Sequence, residues 1–140
     1  PMTIAFMAFF SIIVADYISL SAGRFIFLPM LTLGMITVIY WYKTEQLGSG
    51  DLRPYAVVQF LPMILIPVIL VLFNKSRSYS GYIWLLLLAY LGSKISEHYD
   101  ARLYEISGLL SGHSIKHLLA SLGIFFFYLY YRKRVLSLND

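Results

Sequence analysis

Two histidines four residues apart, in His113-Ser-Ile-Lys-His117, are the residues of this chain best suited to chemistry. Helical steps of about 100° bring positions four apart to within about 40° around the axis. Both imidazoles therefore leave one helix face, one turn apart. Two neutral nitrogen donors so placed suit a zinc ion, which in a catalytic site takes three protein ligands and keeps one open position. The remaining histidine is His98, with Glu97 and Asp100 close by in sequence. His98 is the third-ligand candidate within the chain, or a residue that orients a ligating imidazole; Glu97 and Asp100 can serve in either way. The same residues admit two other uses: polar contacts between helices, and a proton relay.

Other chemistries are absent. There is no cysteine, so thiol chemistry is excluded. No glycine-rich phosphate loop, dinucleotide fingerprint, HExxH or G-x-S-x-G elbow occurs.

The elements that must position the histidines are set by composition. Of 140 residues, 59% are hydrophobic and only 13% charged, with a mean hydropathy of +0.73. The charged share is about half that of a soluble domain. A water-soluble chain of this length could not hide so much apolar material, so the solvent is lipid. A disordered chain, a disulfide scaffold and an ordinary soluble enzyme are excluded. The net charge of +4 is carried by basic residues scattered between apolar runs. That arrangement fits membrane orientation and not a nucleic-acid surface.

The fold expected is an all-α, polytopic transmembrane helix bundle forming a single domain over residues 1–140. A span needs about 20 mostly apolar residues. Five segments fit, at about 2–19, 25–42, 54–73, 79–99 and 112–131. Connections are expected at Ser21 to Arg24, Gly48 to Asp51, Asn74 to Ser78 and Ala101 to Ser111, where turn residues gather. Ser111 suits the N-cap of the last helix. Pro62 and Pro67 should kink the third span. Tyr40, Trp41, Tyr42, Tyr130 and Tyr131 form an interfacial belt. Arg24, Lys75, Arg77, Arg132, Lys133 and Arg134 fall on one side, and Lys43, Arg53 and Arg102 on the other. Six against three places the C-terminus in the cytoplasm. The three histidines then share the non-cytoplasmic end. Lys94 and Glu97 should pair at i, i+3, Lys116 should snorkel to the headgroups, and Asp51 and Arg53 should pair locally. Asp16 should pair near the opposite membrane surface. The opening Pro1-Met2 reads as an internal cut, so further residues are expected before it.

The segment Gly112-His-Ser-Ile-Lys-His-Leu-Leu-Ala-Ser-Leu-Gly123 resembles the last span of the alkaline ceramidase family, whose pattern is H-x-x-x-H-[LI]-L-x-x-L-G. Pro1-Met2 is similar to part of that family's D-x-L-P-M segment. Gly50-Asp-Leu-Arg-Pro-Tyr55 and Ser96-Glu-His-Tyr-Asp100 are similar to segments of bacterial members. The family belongs to a superfamily of seven-span membrane hydrolases that also contains the adiponectin and progestin receptors. The resemblance implies that these are the last five of seven spans. It implies a zinc ion held by three histidines, two of them carried over to His113 and His117. The third histidine, a serine four residues before it and an aspartate precede Pro1 in the family pattern. On that mapping His98 is displaced as a ligand, and this stretch alone lacks a complete site. The activity implied is hydrolysis of the amide bond of a ceramide-like lipid to a fatty acid and a sphingoid base. Two rivals remain: a non-enzymatic receptor or scaffold, and a proton-coupled transporter using His98, Glu97 and His117.

Overall fold

A computed structural model describes residues 2–73, 79–108 and 111–137. The connection expected at Asn74 to Ser78, Pro1 and the Leu109–Leu110 dipeptide lie outside the described residues. The described chain is all-helical, with no strand among those residues. Its helices are α1 (Met2–Tyr17), α2 (Leu20–Gln46), α3 (Arg53–Leu72), α4 (Ser80–His98), α5 (Asp100–Ser107) and α6 (Gly112–Leu136). They fall into two compact units, Pro1–Lys75 and Ser76–Asp140.

In the first unit α1 packs on both α2 and α3. It is apolar almost all round and buried to match, at Met7, Phe9, Ile13, Val14 and Tyr17, with Thr3, Ser11 and Asp16 buried among them. Its partner α2 approaches through glycine. A Cβ on Gly23 would overlap Ala15, and one on Gly34 would sit 3.3 Å from Ile4 Cα. These glycines are three turns apart on one face of α2, and small residues there let helix backbones close up where hydrophobic exclusion gives no driving force. The opposite face, with Phe25, Leu28, Ile36 and Ile39, is exposed.

That packing corrects one expectation. Ser21 to Arg24 is not a connection but the first turns of α2. The chain turns instead at Ile18–Ser19, whose amides both donate to the Val14 carbonyl at 3.0 Å. Ser19 is extended, at φ −159° and ψ 134°, and its carbonyl accepts the Gly23 N–H at 2.9 Å to start the helix. Gly23 is there for close approach, not for a turn. The glycines read as a turn before α3 are one: Gly48 and Gly50 have φ of 78° and 53°. Helix α3 runs unbroken through Pro62 and Pro67, although each proline removes the donor to the carbonyl four residues back.

In the second unit α4 and α6 pair antiparallel. Gly112 meets Ser96, Leu119 meets Gly92 and Gly123 meets Ala89, while the rings of Tyr79 and Tyr130 lie edge-on at 5.5 Å. Between these helices the expected turn region, Ala101 to Ser111, holds a further helix, α5. Its sequence is polar, with Arg102 and Glu105, and it ends at Gly108 in the left-handed region, φ 64°.

Among the described residues two helices, α2 and α3, are long and apolar enough to cross a membrane, against the five spans expected, and α5 with α6 would make a third if they count as one bent span. Helix α1 is apolar but shorter. Only 17% of the apolar window of α2 and 33% of that of α3 is buried. Apolar helices left this bare match lipid as solvent.

Candidate functional site

The site is built on the start of α6. Ser111, extended at φ −77° and ψ 153°, is the N-cap, and its Oγ accepts the Ser114 N–H at 3.1 Å. The Asp100 Oδ1 accepts the His113 N–H at 2.8 Å. Two of the amides that a helix start leaves without intrahelical acceptors are thus bonded to side chains. The carboxylate also opposes the positive end of the helix dipole. Gly112 presses α6 onto the end of α4 so closely that a Cβ would overlap the Ser96 carbonyl oxygen.

From this start His113 and His117 project one turn apart, both exposed. Their rings lie edge-on at 4.7 Å between centroids, and their Nε2 atoms are 3.0 Å apart. Two nitrogens at about 2.0–2.1 Å from a tetrahedral zinc ion stand about 3.3 Å from each other. A shift of a few tenths of an ångström therefore turns this pair into two legs of such a site. The pair also suits a direct N–H···N hydrogen bond between neutral rings.

The remaining candidates are placed otherwise. His98 is the last residue of α4, exposed, with its ring edge-on to Tyr99 at 4.9 Å. Among the described residues no three His, Asp or Glu side chains come together as a metal-holding group. Glu97 takes Lys94 Nζ on one carboxylate oxygen and Lys116 Nζ on the other, both at 2.8 Å. The Lys94–Glu97 pair is the one expected. The Lys116 contact is a correction: this lysine does not snorkel but spans from α6 to Glu97, with its side chain 17% exposed. Asp100 caps α6 and does not bond an imidazole in any contact among the described residues. The inter-helix roles of Asp100 and Glu97 had no signal in linear spacing, since their partners lie 13 and 19 residues away.

A second polar group occupies the α2–α3 connection. Asp51 accepts from Arg53 Nε at 2.8 Å, from a terminal guanidinium nitrogen at 3.0 Å, from the Arg53 amide at 3.1 Å and from the Tyr40 hydroxyl at 3.2 Å. The Arg53 side chain and amide hold the Asp51 carboxyl well below the usual carboxylate range. The group lines an open cavity of about 540 Å³ with Thr44, Ser49 and Gly50.

No family model, curated protein or solved structure matches this chain.

Proposed function

We propose that this chain belongs to a membrane-embedded, zinc-dependent hydrolase that cleaves the amide bond of a ceramide-like lipid to a fatty acid and a sphingoid base. The observation that carries the reading is the 3.0 Å approach of the His113 and His117 Nε2 atoms on a capped helix start. The resemblance of Gly112 to Gly123 to the last span of alkaline ceramidases supplies the reaction. In this reading α1, α2, α3, α4 and α6 are the last five of seven spans, and the C-terminus faces the cytoplasm.

His113 and His117 would hold zinc through Nε2, and the donor set fits, since zinc takes neutral imidazole nitrogens. When bound, zinc supplies the Lewis acidity that makes water nucleophilic near pH 7 and polarises an amide carbonyl. In the family that the chain resembles, the third histidine, a proton-handling aspartate and an oxyanion-stabilising serine lie ahead of the segment to which Pro1-Met2 is similar. Ser111 and Asp100 hold the backbone from which both imidazoles project. The face bearing the histidines continues down α6 with Ser121, Ile124 and Tyr128, all exposed. An acyl chain entering from the bilayer can lie along that lane while its amide stays at headgroup depth beside the imidazoles.

One second reading has an observation behind it. The direct contact between the imidazoles suits proton transfer, as a proton-coupled transporter needs. The test is metal analysis and turnover of a fluorescent ceramide by the protein expressed from its whole gene. One zinc per chain, lost in His113→Ala and in His117→Ala together with fatty-acid release, is expected. Metal retained by both variants refutes the site, and pH-driven uptake in zinc-free proteoliposomes supports the transporter.

A further inference from the structure

An i, i+4 histidine pair exists as a metal pair only while the five residues from the first to the second are helical. Here those residues, 113 to 117, are the opening turns of α6. Helix ends fray, because their first amides have no acceptor within the helix. The side chains that stop fraying at this point are therefore as much part of the pair as the imidazoles.

We propose that Asp100 is the positioning residue of the His113–His117 pair: its carboxylate, on the Asp100 N-terminus of α5, holds the backbone of His113 in the helix and thereby keeps the two Nε2 atoms at ligating separation. The proposal rests on the reading of these histidines as metal ligands. The bond is 2.8 Å to the amide of a ligand itself, and a charged acceptor makes it stronger than a neutral cap. It acts beside two other restraints on the same turns. Ser111 Oγ holds the next amide, that of Ser114. Glu97 holds Lys116, directly before the second histidine, from α4, and Lys94 fixes the carboxylate from the other side. Asp100 alone among these side chains bonds a histidine backbone directly in the contacts described. It thus ties the corner between α4 and α5 to the first ligand.

The test uses Cu(II)–iminodiacetate, which brings three donors of its own and needs only two imidazoles from the protein. The protein expressed from its whole gene is reconstituted in nanodiscs, and affinity is read from the copper electron paramagnetic resonance signal. His117→Ala sets the background. Asp100→Ala should bind about tenfold more weakly, the lower end of the loss on removing an outer partner of metal-ligating histidines. Asp100→Asn keeps an acceptor oxygen and should stay within about threefold of the parent. Amide exchange at His113 should quicken in Asp100→Ala, a readout that needs no metal. Equal affinity in Asp100→Ala and the parent overturns the proposal, as does a loss that Asp100→Asn shares in full. Should Asp100→Ala not fold, Ser111→Ala tests the same restraint and should bind a few-fold more weakly; unchanged affinity there counts against it. Because the copper chelate needs no third protein ligand, failure of the whole protein to bind zinc or cleave a ceramide would refute the proposed function and leave this result standing.

Discussion

Gly112→Ala is the substitution that most directly tests how α6 is seated. A methyl at this position would overlap the Ser96 carbonyl oxygen and lie 2.7 Å from Asp100 Cα. Carbon atoms prefer about 3.5–4.0 Å, so the helix must retreat by roughly 1 Å. The obstructing atoms are backbone, and no side-chain rotation relieves them. Overpacking of this kind costs about 1–3 kcal/mol. Replacing glycine by alanine in a helix returns at most about 1 kcal/mol, so a net loss of up to about 2 kcal/mol is expected. Gly81 is the control. It lies in α4, and a Cβ there meets nothing within 4 Å, so Gly81→Ala should be neutral or stabilising by up to about 1 kcal/mol. The assay is reversible unfolding of the chain in mixed micelles by increasing sodium dodecyl sulfate, followed by far-ultraviolet circular dichroism. A retreat of α6 also lengthens the bond from Asp100 to the His113 amide, so Gly112→Ala should lose copper-chelate affinity while Gly81→Ala should not. If Gly112→Ala is as stable as Gly81→Ala and binds the chelate equally well, α6 does not sit against Ser96.

The Asp51 carboxyl has its pKa lowered by Arg53. Its contribution to holding the α2–α3 connection is therefore full above the unfolded value of about 3.9 and is lost as pH falls through the folded value. Trp41, whose ring lies 6.3 Å from that of Tyr55, reports this in a Trp84→Phe background: its fluorescence should hold to below the normal carboxylate range, and a midpoint at or above about pH 3.9 would contradict the contact. Gly108→Ala should cost about 1 kcal/mol, because φ is 64° there; a neutral result in the same micelle titration would mean that α5 does not end as described. The chain has no cysteine, so single cysteines report topology cleanly. Ser49→Cys and Glu105→Cys should react with an impermeant maleimide from outside the cell and Ser137→Cys only after lysis; the reverse pattern would overturn the orientation.

How much of this was legible in the sequence depends on what kind of residue carried the signal. Apolar residues are many, and their runs located helices while leaving the ends loose: the segment expected at 54–73 became Arg53–Leu72, 112–131 became Gly112–Leu136 and 25–42 became Leu20–Gln46. The histidine pair was legible because both members sit on one helix, where spacing alone decides their face. Glycine was ambiguous, since the same residue permits a left-handed turn and the close approach of two backbones. Gly48 and Gly50 did the first and Gly23 the second, and nothing within four residues of Gly23 distinguishes these uses. What distinguishes them is Ala15, on the other helix. Polar residues were the least legible for a related reason. In lipid they are few and each must find a partner, and a lysine beside a membrane interface can find it in the headgroups or on a neighbouring helix. Lys116 had both routes open until the second carboxylate oxygen of Glu97, already facing Lys94 with its first, was brought to 2.8 Å by the packing of α4 on α6. That packing rests on Gly92, Gly112 and Gly123. The small residues that let the helices close are therefore what decides where the charges go, and through Asp100 they also decide how the imidazoles are held.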